Sequence, residues 1–188
     1  MPEQFISSTD VIINTERWLE KAVIGLNLCP FAKAVQVKQQ IRFTVSEAHT
    51  PEELLKELIN ELELLAEANP EKIETSLLIH PYVLTDFLDY NDFLDVADAA
   101  LHELNLEGII QIASFHPDYQ FADTESDDIE NFTNRSPYPT LHLLREESID
   151  KAVEAFPDAD AIYEKNIQTM RDLGHEGWRK LFSAYRKK

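Results

Sequence analysis

The apolar positions along the chain follow two periods, and the switches between them divide it into elements. From Asp10 to Leu28 the apolar residues Val11, Trp18, Ala22, Ile24 and Leu28 suit a helix with a broad buried face, weakened near its end by Gly25. "CPFAKAVQVK" then reads as a turn followed by a short helical piece. Gln40–Glu47 alternates and is rich in β-branched and aromatic residues, which predicts a strand. The next helix has a start and a stop written into it. Thr50 is placed to cap, Pro51 fits the first helical position, Glu53 completes a capping box, and Asn69-Pro70 ends the run. "IETSLLIHP" reads as a buried strand, and Thr85–Leu106 as a second strongly periodic helix with Phe87, Tyr90, Phe93, Leu94, Ala97 and Leu101 facing the core. "EGIIQIASFHP" is another apolar strand and "TLHLLR" a fourth. Two helices close the chain, at Ser148–Phe156 and roughly Ala159–Arg186, the second broken near Gly174–Gly177.

The order is therefore β-α-β-α-β, a long connection, then β-α-α. Alternation of this kind predicts an α/β fold with right-handed crossovers and parallel strands. The fourth strand, reached without a helix, is expected to run antiparallel. The expectation is one domain over residues 1–188, a loose tail at 1–9, and a four-stranded mixed sheet packed by helices. Between the third and fourth strands, residues 117–138 carry neither period. Structureless connections beyond about 12–15 residues are uncommon in compact domains and are often functional. Here an acidic part, "ADTESDDIE", precedes "NFTNRSPYPT", whose prolines stiffen the backbone around Arg135.

Composition narrows the function classes. The 188 residues carry a net charge of −18, which repels a phosphate backbone and argues against nucleic acid as a partner. No window reaches the roughly 18 apolar residues of a membrane span, and the N-terminus lacks the basic-then-apolar layout of a secretory signal. A cytoplasmic location is the expectation. With one cysteine, an internal disulfide and multi-cysteine zinc sites are excluded. No glycine-rich phosphate loop, G-x-S-x-G elbow or H-E-x-x-H is present, so nucleotide-dependent chemistry of the common kinds is not expected, and the sequence leaves the cofactor unknown. Asp86, Asp89, Asp92 and Asp95 lack the glycine and terminal glutamate of a calcium loop and read as a solvated helix face.

Candidate chemistry gathers at strand ends. His80-Pro81 follows the second strand and His116-Pro117 the third. Proline cannot donate to a ladder and so marks where each strand stops. If the two strands are parallel neighbours, both histidines sit at one sheet edge, where open α/β sheets place ligands. The antiparallel fourth strand would bring Asn134, Arg135, Tyr138 and His142 to that edge. Arg135 suits bidentate recognition of a carboxylate or phosphate. His80 and His116 suit general acid–base work because the unperturbed imidazole pKa is near 6.5. Cys29 precedes a proline able to open a helix, and a helix N-terminus favours a thiolate. That makes Cys29 a candidate nucleophile, or else a small core residue. Near the C-terminus, a bend at "GHEGW" would leave Trp178 in the core or turn His175 toward the sheet edge.

At "NLCPFAK", "FHPDYQF" and "NRSPYPTLHLLRE" the chain resembles a bacterial family catalogued as domain of unknown function 1415. The resemblance covers nearly the whole chain and implies a small stand-alone cytosolic protein, with no activity attached. Three readings follow. The first is an enzyme for a small anionic metabolite, with Arg135 holding the anion, His116 or His80 as acid or base, and Cys29 as nucleophile. The second is a transition-metal site built from His80, His116 and either His142 or Cys29. The third is a non-enzymatic module whose acidic surface binds a basic partner.

Overall fold

The protein was analysed as a computed structural model that describes residues 6–154 and 161–183. It is an α/β protein with a four-stranded mixed sheet in the order β1-β2-β4-β3. The strands are β1 (Ile41–Val45), β2 (Thr75–Ile79), β3 (Ile110–Phe115) and β4 (Thr140–Arg145). β1 and β2 are parallel, and β4 is antiparallel to both β2 and β3. The fourth strand thus runs antiparallel as expected. However, it inserts between β2 and β3, so these two are not neighbours.

Strand alternation divides the side chains between two faces. One face carries Leu78, Leu141, Leu143 and Ile110. It packs against helix α3 (Pro51–Glu67) and helix α4 (Phe87–Glu103) to form the main core. The α3 start is the capping box read in the sequence: Glu53 N–H donates to Thr50 Oγ1, and the Glu53 carboxylate accepts from Thr50 N–H. Arg145 leaves the end of β4 and donates to the carbonyls of Leu65, Ala68 and Ile73, closing the α3 C-terminus. Glu61 of α3 is buried and meets Arg42 in a two-pronged ion pair, with a further bond from Ser76. Burial opposes its ionisation, but these bonds outweigh it and hold the carboxyl below its ordinary value.

The opposite face presents Ile41, Phe43, Leu77, Phe115 and His142. It is covered by α1 (Ser8–Trp18), which continues as a π-helical stretch at Leu19–Ile24, and by α2 (Ala32–Val37). α1 starts inside the stretch read as a tail; of that stretch, residues 1–5 lie outside the described residues. Helix α5 (Glu146–Glu154) leaves β4 directly. Helix α6 (Ala161–Ser183) breaks at Gly174, whose φ of 61° belongs to the left-handed region glycine favours. The expected boundaries at Phe156, Ala159 and Arg186 lie outside the described residues.

Among the described residues, no helix is long and apolar enough to cross a membrane. The connection after β3 is more organised than its sequence suggests. It contains a 3-10 turn at Ile129–Thr133 and packs against α6 through an Arg171–Glu130 ion pair.

Candidate functional site

The two histidine–proline strand ends do reach one sheet edge, as posts within the core. His80 and His116 are both fully buried. Tyr90 of α4 stands between their rings, 5.7 Å from His80 and 5.1 Å from His116. Its hydroxyl donates to the Thr140 carbonyl and accepts from Phe115 N–H, tying α4 across β3 and β4. His80 Nδ1 donates to the Val83 carbonyl at 3.0 Å, and its Nε2 is buried without a partner. His116 Nδ1 accepts from Asp118 N–H, which fixes Nε2 as the donor to the Leu84 carbonyl at 3.2 Å. Burial lowers the pKa of both rings, that of His80 to about 4. Neutral, sealed rings hold the β2 and β3 ends against the segment before α4, and neither is presented to solvent.

His142 belongs to the other face of the sheet, because β4 alternation places it with Leu144 and away from Leu141 and Leu143. The metal set of His80, His116 and His142 is therefore not assembled. More broadly, no group of three His, Cys, Asp or Glu side chains is placed to hold a metal ion among the described residues. Cys29 lies in the turn before α2, which starts only at Ala32 and runs six residues. The cysteine is not the opening of a helix, contrary to the expectation from Cys29-Pro30. It is half-buried beside Trp18, Val23 and Phe115.

Arg135 occupies the position its loop suggested, at the mouth of the sheet edge. Its Nε donates to the Tyr119 carbonyl and its Nη2 to the Ser126 carbonyl, and the guanidinium lies 4.3 Å from the Phe132 ring centroid. Asn134 braces the same turn: its Nδ2 donates to the Ser114 carbonyl, and its own carbonyl accepts from His116 N–H. Tyr138 accepts at its hydroxyl from Asn14 Nδ2, linking the loop to α1. Asn131 holds the loop together. Its Oδ1 accepts from Phe121 N–H and Thr124 Oγ1, and its Nδ2 donates to the Glu125 carbonyl.

These elements line an open edge pocket of about 440 Å³. Its polar lining is Asn14 and Arg17 from α1 with Arg135 and Ser136 from the loop; Trp18, Phe132, Trp178 and Phe182 form aromatic walls. No carboxylate, histidine or cysteine lines it among the described residues. Asp118 and Asp127 act on Arg135 electrostatically from outside that lining. Asn14 and Arg17 were not singled out in the sequence, although their i, i+3 spacing puts them on one face of α1 and Arg17 donates to Asn14 Oδ1. Trp178 is half-buried and forms a wall of the pocket, packed edge-on against Phe132. His175 meets the other edge of the loop, near Phe132 and 3.9 Å from the exposed Asp127.

The family comparison matches residues 10–180 to the family described as protein of unknown function (DUF1415), and the chain belongs to it. No curated protein and no solved structure matches the chain.

Proposed function

We propose that this DUF1415 member binds a small organic anion with a flat apolar body in the edge pocket of Arg135. The observation that carries this is the pocket's lining, which among the described residues holds two arginines and no carboxylate, in a chain of net charge −18. A basic lining among the described residues is unusual for so acidic a chain and marks this surface out. Arg135 has Nε and Nη2 engaged by carbonyls, which fixes the plane of the guanidinium and leaves Nη1 without a partner among the described residues. A preorganised arginine loses little freedom on binding a carboxylate or phosphate oxygen. Asn14 and Ser136 add polar contacts, and the aromatic walls suit a planar body.

The reading concerns recognition. His80 and His116, with the acid–base role expected of them, and Cys29, with its nucleophilic role, stand outside this lining. A thermal-shift screen of aromatic and aliphatic carboxylates and phosphate monoesters tests the proposal. Aromatic anions should raise the melting temperature more than their neutral amides do. Arg17→Gln, which keeps the Arg135 bonds to Tyr119 and Ser126, should weaken anion binding by about tenfold, the worth of a charge-assisted hydrogen bond, and leave any shift from the amides unchanged. An anion shift that survives Arg17→Gln in full would defeat it.

A further inference from the structure

On the α1 face of the sheet lies a second cavity of about 380 Å³, which shares only Trp18 with the lining of the edge pocket. Its floor is Thr75, Leu77, Ala113, His142 and Leu144; Trp18, Val23 and Cys29 wall one side, and Ile149 and Ala152 of α5 close the other. We infer that this cavity binds a neutral, largely apolar small molecule that donates one hydrogen bond to His142 Nδ1.

The hydrogen bonds of the floor set the polarity of that contact. Thr75 Oγ1 lies 2.6 Å from the Leu143 carbonyl, a separation that requires the hydroxyl to donate its single proton there. The same oxygen lies 2.7 Å from His142 Nε2, so the ring must be the donor in that pair. Nδ1 is then the lone-pair nitrogen, and it has no partner among the described residues. It is also not among the sealed, unpaired atoms of the core, so it opens to the cavity that His142 lines. Ala113 faces His142 across the β3–β4 ladder, and its small side chain leaves the space in front of the ring.

The roof supports the same conclusion. Helix α5 buries no residue, yet Ile149 and Ala152, at i and i+3, line the cavity. Its apolar stripe faces a volume that the described residues do not fill. A dry apolar cavity of about 150 Å³ accommodates benzene, so this one has room for a bicyclic molecule. At His142 an anion is disfavoured, because it would meet an unprotonated ring lone pair, and the charged residues that also line the cavity, Glu74 and Arg145, are of opposite sign.

The test compares 2-naphthol with 2-methoxynaphthalene, which keeps the apolar body and lacks the donor, by equilibrium dialysis against the full chain at neutral pH. The expected result is saturable binding of both, with the naphthol tighter by about five- to tenfold. His142→Phe should equalise the two. Ala113→Leu should remove both while circular dichroism stays native. Arg135→Gln, at the other pocket, should change neither. No binding of either compound, equal affinities in the wild-type chain, or binding that survives Ala113→Leu but fails in Arg135→Gln would overturn the inference. Because the ligand here is neutral, the outcome is independent of the anion proposal.

Discussion

Three histidines show how far a residue's place in the sequence determines its role. Strand-end prolines locate His80 and His116 at one sheet edge, and that much was legible. Their burial was not, because it depends on Tyr90, a residue of a different element that slots between the rings. His142 was grouped with them because the antiparallel fourth strand begins at their edge, yet the period of two in β4 sends it to the opposite face. Both His80 and His142 are pushed down to about 4 by burial. A histidine whose folded pKa is depressed contributes stability that is fully present above its unfolded value near 6.5 and is lost as pH falls toward the folded value. Between pH 7 and about 4.5, each ring should therefore cost about 2–3 kcal/mol of stability. Urea unfolding measured across that window should show the loss, and His142→Phe should flatten the slope by removing one titrating group. Glu61, held low by Arg42 and Ser76, contributes a loss that begins only near its ordinary value of 4.5 and so does not mask this window. A stability independent of pH from 7 to about 4.5 would show that burial does not hold the two rings neutral.

At the scale of elements, periodicity located each strand and the two long helices, because burying one face imposes a period on the sequence. It did not fix the strand order. Whether β4 joins the free edge of β3 or inserts beside β2 depends on pairing with distant residues, and no local pattern encodes that choice. The connection at residues 117–138 was legible as unusual, but not as ordered. Its order rests on the amide of Asn131, a residue type that sequence reading places in loops by default. Asn131→Ala removes bonds to Phe121, Thr124 and Glu125 and strands the half-buried Phe121 N–H. The variant should lose about 2–4 kcal/mol, the cost of three part-buried hydrogen bonds with unpaired partners left behind. Limited proteolysis should then cut between residues 119 and 130 before it cuts elsewhere. A variant as stable and as protease-resistant as the native chain would mean that packing against α6, rather than Asn131, holds the loop.

For the whole molecule, charge is the dominant property. A net charge of −18 makes the folded state repel itself, and salt screens that repulsion. Raising ionic strength from about 0.01 M to about 0.1 M shortens the screening length from about 30 to about 10 Å. The melting temperature should rise over that range, whereas a fall would show that favourable ion pairs outweigh the repulsion. Against this field, the edge pocket gathers Arg17 and Arg135 with no carboxylate in its lining among the described residues. Arg135 and the expectation of an anion were legible in the sequence. The pocket itself was not, because half of its polar lining comes from α1, more than a hundred residues earlier in the chain. Both tryptophans of the protein line this pocket, but Trp18 is shared with the second cavity and Trp178 is not. The most direct measurement is a fluorescence titration of a Trp18→Phe chain, which leaves Trp178 as the reporter, with benzoate, and with benzamide as the neutral control, with and without Arg135→Gln. The account predicts a saturable change with benzoate alone, lost in Arg135→Gln. No change with benzoate, or the same change with benzamide or in Arg135→Gln, would contradict it.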